Sequence, residues 1–140
     1  MAPHSRKLKT ILFTLGTNTS FNCQIRSWNI NNGTDDGERF YTFCPDGEFF
    51  EEAEPEYTLE LSFFADWRSD GISEFLVLND QQVADFVLEH HPDIPGEHVK
   101  WTGKVKVKHP SVGGDARTTE VTEVTLPILG KPAFERVVAT

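Results

Sequence analysis

Residues Pro55 to Asn79 read PEYTLELSFFADWRSDGISEFLVLN, and the hydrophobic period changes partway along. Tyr57, Leu59, Leu61, Phe63, Ala65 and Trp67 fall on one side of a period of two, with Thr58, Glu60, Ser62 and Asp66 on the other. That pattern predicts a strand with one wet face. After Arg68, the side chains of Ser69 or Asp70 can accept free backbone N–H groups at the start of a helix. Ile72, Phe75, Leu76 and Asn79 then recur at spacings of three and four. A helix this short buries one narrow stripe. The expected fold is therefore mainly β (α+β): an antiparallel β-sandwich or small barrel with one flanking α-helix and a long extended loop.

The rest of the composition agrees with a single sheet-based domain spanning residues 1–140. Eleven Phe and three Trp against one Met suit a core of aromatic and β-branched residues. Thirteen basic residues against 22 acids give a formal charge of -9, which repels nucleic acid unless the bases are segregated. Cys23 and Cys44 form no CxxC and no framework, and read as free thiols of a reducing compartment. Arg6, Lys7 and Lys9 precede an apolar run too short for a secretory signal, so residues 1–8 read as an N-terminal arm leading into the first strand. No stretch approaches the roughly 20 apolar residues of a membrane helix. Without a secretory route, Asn18-Thr19-Ser20 and Asn32-Gly33-Thr34 are polar turns rather than glycosylation sites.

Outward from the central stretch, Lys9, Ile11, Phe13 and Leu15 alternate as a first strand that the Gly16 to Ser20 cluster ends. A second is expected from Phe21 to Ile30, with Phe21, Cys23 and Ile25 on one face and Asn22, Gln24 and Arg26 on the other. Trp28 and Ile30 then appear on the polar side, which calls for a bulge or for a second covered face. Asn31 to Pro55 has little period and many Gly, Asn, Asp and Glu residues, with a Pro45-Asp46-Gly47 turn. It also carries Phe40, Tyr41, Phe43, Phe49 and Phe50, which a free loop would leave in water. A connection this long is commonly functional, and this one is expected to fold onto a partner, with Asn31, Asn32, Asp35, Asp36 and Arg39 as its polar members.

Downstream, Ala84, Phe86 and Leu88 favour a strand or mixed turn over Gln82 to Glu89, although Val83, Phe86, Val87 and His90 also fit a helix. Lys100 to His109 alternates most cleanly. Trp101, Gly103, Val105, Val107 and His109 lie on one face, and Lys100, Thr102, Lys104, Lys106 and Lys108 on the other. Pro110 to Gly114 is expected to turn a hairpin whose return is Arg117 to Leu126. A last apolar piece runs from Phe134 to Val138. The expected core is Leu59, Leu61, Phe63, Phe75, Leu76, Trp101, Val105 and Val107.

Chemistry is sparse. The lysine ladder of Lys100, Lys104, Lys106 and Lys108 reads as a phosphate stripe or as the wet face of a strand with acidic neighbours, and an even hairpin register would put Glu120 and Glu123 on that side. In a chain this acidic, salt bridging within or between subunits is the better reading. His90, His91 and His98 with Asp93 and Glu97 are metal-ligand types, but adjacent histidines on an extended chain point to opposite faces. Asp35, Asp36 and Glu38 miss the EF-hand spacing and read as hydrated loop acids. There is no GxSxG, no HExxH and no phosphate-binding loop, so no enzyme activity, cofactor or metal is expected.

The segments FFADWRSDGISEFLVLND (63–80) and HVKWTGKVKVKHPSVGGDARTTEVTEVTLPILGKPAF (98–134), after a long polar loop, resemble the major tail tube proteins of long-tailed bacteriophages. The order of parts carries the likeness, over roughly residues 55 to 135: a strand, an aspartate-glycine helix start ending in EFL, a hairpin with a Gly-Gly turn, then LP and GKP. The resemblance implies a homohexameric ring whose inner strands join into a continuous barrel, rings stacking into a tube that conducts DNA from capsid to host without binding it. It implies a helix from Ser69 to Asn79 outside the sheet and a loop, residues 31–55, that reaches the adjacent ring. The N-terminal arm and a C-terminal tail, residues 129–140, would touch neighbours. Tape measure, tail terminator and baseplate proteins would be partners, and the virion tail the location, after synthesis in the host bacterial cytoplasm. Family lumens are generally acidic, so the lysine ladder would face elsewhere or be neutralised. Two other readings compete: a monomeric β-sandwich binding carbohydrate or another ligand through Trp28, Trp67 and Trp101, and a different tail ring component such as a terminator.

Overall fold

The computed structural model describes residues 3–16, 21, 23–69 and 71–137. The acceptor pattern at Asn18 to Ser20, Asn22 of the second strand, the capping candidate Asp70 and Val138 lie outside the described residues. The elements are β1 (Ile11–Leu15), β2 (Ile25–Asn32), β3 (Arg39–Phe40), β4 (Phe49–Phe50), β5 (Tyr57–Phe64), α1 (Ile72–Leu78), β6 (Val83–His90), β7 (Val99–Lys106), β8 (Val121–Ile128) and β9 (Ala133–Arg136). The fold is mainly β, with seven antiparallel strands in one sheet and one short helix.

The strand path β1-β6-β7-β8-β5-β2 folds into two layers because its middle link is weak. β7 and β8 pair at one position, Val105 with Ile128, whereas β6 with β7 and β5 with β8 each pair over eight residues. The first half of β7 gives its second edge to β9, with Trp101 opposite Phe134. Pro127, which has no N–H to give, sits in β8 where a full partner exists on one side only. One layer is thus β1-β6-β7-β9 and the other β2-β5-β8, consistent with a sandwich.

Alternation then sets the core. Phe13, Leu15, Phe86, Leu88 and Val105 from one layer meet Leu59, Leu61, Phe63, Leu126 and Ile128 from the other, all buried. Cross-strand register places Leu59 opposite Leu126 and Phe13 opposite Leu88. Leu76 and Val107 are also buried, while Phe75 and Trp101 are half-buried against this core. Gly103 is needed by a close approach: a Cβ there would lie 2.9 Å from Phe86 Cε1.

The second strand starts later than its composition suggests, at Ile25. Its register against β5 shifts between Ile25, opposite Phe63, and Ser27, opposite Ser62, and then brings Trp28 opposite Leu61 and Ile30 opposite Leu59. This bulge lets Ile25, Trp28 and Ile30 all face the core despite the break in alternation. Cys23 is exposed, not paired in burial with Phe21.

The helix is shorter than expected and is not capped by Ser69. Its N-cap is Gly71, with no side-chain cap bond, and it spans seven residues. The turn before it is organised by Asp66, whose Oδ1 accepts from the Arg68 backbone N–H at 3.1 Å and from the Arg68 guanidinium at 2.9 Å. Chain packing in this turn is so close that a Cβ on Gly71 would stand 2.5 Å from the Asp66 carbonyl oxygen. Ser73 Oγ accepts from Asp66 N–H at 3.1 Å, and Phe75 packs its ring 5.9 Å from that of Phe21. The helix therefore seals the end of the sandwich where β1 and β5 finish.

The expected hairpin between Lys100–His109 and Arg117–Leu126 does not form. β7 ends at Lys106, β8 begins at Val121, and β8 lies along β5 in the other layer. The connection is long enough to cross between layers, and its first residue, Val107, stays buried by exchanging 2.7 Å backbone bonds with Gln81 and Gln82. His109 is exposed rather than on the inner face. Among the described residues, no helix is long and apolar enough to cross a membrane.

Candidate functional site

The β2–β5 hairpin continues past the sandwich as an arm. Gly33 N–H donates to the Glu56 carbonyl at 2.7 Å and Glu56 N–H to Thr34 Oγ1 at 2.8 Å, which closes its base. Beyond that, β3 and β4 pair only with each other, Arg39 opposite Phe50 and Phe40 opposite Phe49. The regular part of the stretch between Asn31 and Pro55 is thus Arg39–Phe40 and Phe49–Phe50, past the end of β2. The Phe40 and Phe49 rings stack at 5.4 Å, and the Arg39 guanidinium lies 4.8 Å over the Phe50 ring while its Nε bonds Glu48 at 2.7 Å. At the tip, Pro45 and Asp46 are the central residues of a turn closed by Gly47 N–H to the Cys44 carbonyl at 3.0 Å.

Among the described residues, this hairpin forms a two-stranded sheet of its own, separate from both layers. Tyr41, Phe49 and Phe50 are more than half exposed and Phe43 is fully exposed. A two-stranded hairpin alone is marginal in water; covering the fully exposed Phe43 would be worth about 1.5–3 kcal/mol, and covering the half-exposed Phe49 or Phe50 roughly half of that. The arm also carries most of the charge. Residues 34–56 hold nine acids and one base, Arg39, for a net -8. The remaining 117 residues hold 13 acids and 12 bases, a net -1. Asp35 and Asp36 are solvated members of that acidic set, and Asn31 and Asn32 belong to the end of β2 at its root.

The lysine ladder lies on the outer face of the other layer. Its neighbours are Asp85, opposite Lys104, Glu89, opposite Lys100 on β6, and Glu135, opposite Lys100 on β9. Lys104 Nζ reaches Asp85 at 3.0 Å, both side chains well exposed. Glu120 and Glu123, expected beside these lysines, are elsewhere. Glu120 accepts the Trp67 indole N–H at 2.7 Å, and Glu123 pairs with Ser62 across β5 and β8. Lys106 faces Val83, and Lys108 lies beyond the strand end. Asp85, Glu89 and Glu135 were legible as the polar side of alternating strands, but only once the neighbours of β7 are known.

At the end opposite the helix, where the arm leaves, the layers gape into an apolar cleft of about 280 Å³ lined by Trp28, Ile30, Tyr57, His90, Trp101 and Pro132 among others. The Trp101 indole donates to His90 Nε2 at 3.2 Å, and the Trp28 ring lies 5.6 Å from that of His90. Burial, with added repulsion from His91 and His98, holds His90 below the usual histidine range. Trp67 does not line this cleft, so the three tryptophans make no single platform. His98 bonds Glu89 at 2.8 Å, and Glu97 is held by Arg6 at 2.7 Å and by His4, which depresses its carboxyl and ties the N-terminal segment to the β6–β7 loop. Among the described residues, no three His, Cys, Asp or Glu side chains converge as a metal site. The segment after Leu129 is in part β9, an element of the sheet. Neither a scan against protein-family models nor a search of curated proteins finds a match to the chain.

Proposed function

We propose that this chain is a structural subunit that assembles with its own copies, and that it is a bacteriophage tail tube protein. In this reading, hexameric rings stack into a hollow conduit for DNA, with no catalytic residue and no cofactor. The observation that carries it is the arm, a self-paired hairpin that leaves four aromatic rings in water and concentrates the molecule's charge away from its core. Such a segment is costly in an isolated monomer and useful where another surface receives it. The resemblance of residues 55 to 135 to tail tube proteins points to the particular assembly through the strand, the short helix and the LP and GKP segments, and not through the Gly-Gly hairpin, which the structure does not form. Negative-stain imaging of concentrated or co-expressed protein tests it: hollow tubes or stacked rings are expected, and monodisperse single subunits at high concentration would refute it.

The cleft between Trp28 and Trp101 favours a second reading, a ligand-binding sandwich. Titrating soluble oligosaccharides against tryptophan emission separates the two, since the structural reading expects no saturable change.

A further inference from the structure

We propose that the outer face of β6 and β7 is the seat for the arm of another copy, with the Glu52, Glu54 and Glu56 side of the arm laid along Lys104, Lys106 and Lys108. This deepens the self-assembly reading and rests on it, by naming the surface that receives the arm. The charge division is the first reason. If every copy projects a segment of net -8, the copies repel through their arms unless each arm meets a basic surface within about a Debye length. The chain's own densest row of bases is the lysine ladder, four of its seven lysines. Asp85, Glu89 and Glu135 share its face opposite Lys104 and Lys100, so the bases with no acid across the strands are Lys106, opposite Val83, and Lys108, past the strand end.

The second reason is spacing. Residues 51–56 belong to no strand in the single subunit. Laid extended along the ladder, their alternate residues would stand about 6.6 Å apart, so that acids at 52, 54 and 56 would match lysines at 104, 106 and 108 in period and in sign. Glu52, Glu54 and Glu56 are exposed, and Ala53 between them is half-buried. Among the described residues, Lys104 alone of these lysines has an ion-pair partner, and that pair is open to solvent. The third reason is apolar. The same outer face presents Leu12 of β1 and Val83 of β6, 41 % and 54 % exposed, for the aromatic tip. The arm springs from β2 and β5, in the opposite layer to this face, so the recipient belongs to a different molecule.

The test is zero-length carbodiimide cross-linking of the full chain at high concentration, with light and heavy nitrogen-labelled copies mixed so that links between molecules carry a mixed mass. Amides joining Glu52, Glu54 or Glu56 to Lys104, Lys106 or Lys108 between copies are expected, falling at least tenfold when salt is raised from about 50 mM to about 500 mM. Lys106→Glu with Lys108→Glu should lower inter-copy association at least tenfold while leaving the Lys104 pair intact. Adding Glu52→Lys with Glu54→Lys in the same chain should restore it to within threefold. Absence of mixed-mass arm-to-ladder links, or failure of the compensating charges in variants with native melting temperatures, would overturn the proposal, as would protection of these lysines by duplex DNA in place of the arm. Tubes without such links would leave the tube reading standing and this contact refuted. Links in a species that never forms rings would do the reverse.

Discussion

Replacing Gly103 by alanine tests the packing that joins the two layers. The new methyl would stand 2.9 Å from Phe86 Cε1, 3.4 Å from Cζ and 3.7 Å from Ile128 Cγ2. The first distance is well inside van der Waals contact, and Phe86 is 1 % exposed, so its ring has no empty space to swing into. Overpacking of this kind costs about 1–3 kcal/mol. Alanine recovers up to about 1 kcal/mol of the backbone entropy that glycine loses in a strand. The expected net is a loss of about 1–2 kcal/mol, or a melting temperature lower by about 3–8 °C. Thermal and urea unfolding followed by circular dichroism would measure it. Phe86→Leu removes the clashing ring edge, so the double variant should be more stable than the sum of the single changes by about 0.5–2 kcal/mol. Gly103→Ala at wild-type stability, with no coupling to Phe86→Leu, would mean that β7 does not present Gly103 to the Phe86 ring.

Three further outcomes are expected. Replacing residues 36–52 with a short glycine turn should leave the melting temperature unchanged or raised and abolish assembly, checked by calorimetry and electron microscopy, because the excised part packs on itself and carries like charge. Stability should fall as pH drops from about 7 to about 5: unfolded His90 takes up a proton near 6.5 while the folded residue, depressed by burial, resists until lower pH. His90→Gln should flatten that slope in melting temperature against pH, and an unchanged slope would place the effect elsewhere. Duplex DNA should show no mobility shift with assembled protein at low salt, since each copy adds a net -9 and, on the docking proposed above, the arm of a neighbouring copy covers Lys104, Lys106 and Lys108. A shift that vanishes on replacing Lys100, Lys104, Lys106 and Lys108 would contradict the passive conduit.

Residues 57–64 and 72–78 were legible because their side chains face one core from one element each, so hydrophobic period alone sets their geometry. The partner of β8 was not. Val124, Leu126 and Ile128 would alternate inward equally well beside β7 or β5, and the short-hairpin preference chose β7. What decides against it is the opposite edge of β7, where β9 already pairs at Val99 to Thr102. A competing strand some thirty residues downstream leaves no trace in the local pattern. The helix start failed for a related reason: Ser69 has the right chemistry for a cap, but Asp66 reaches the Arg68 backbone and guanidinium first and turns the chain before Gly71.

The arm and the ladder were visible as composition but not as a pair. Phe40, Tyr41, Phe43, Phe49 and Phe50 in a polar stretch already announce a surface in want of cover, since rings cannot be hidden in a segment without a layer. Their acidic neighbours look unexceptional while the whole chain is acidic. Only when the hairpin is seen to stand off the sandwich does the charge divide into -8 and -1, and the division changes the physics. A uniformly acidic molecule repels its copies from every side. One that is nearly neutral except for a single projecting limb repels them through that limb alone, until the limb finds lysines. Assembly of such a molecule is therefore expected to be cooperative in the arm's own ordering: docking removes a repulsion where the acids meet the ladder and covers rings where the tip meets apolar side chains, and neither gain is complete without the other.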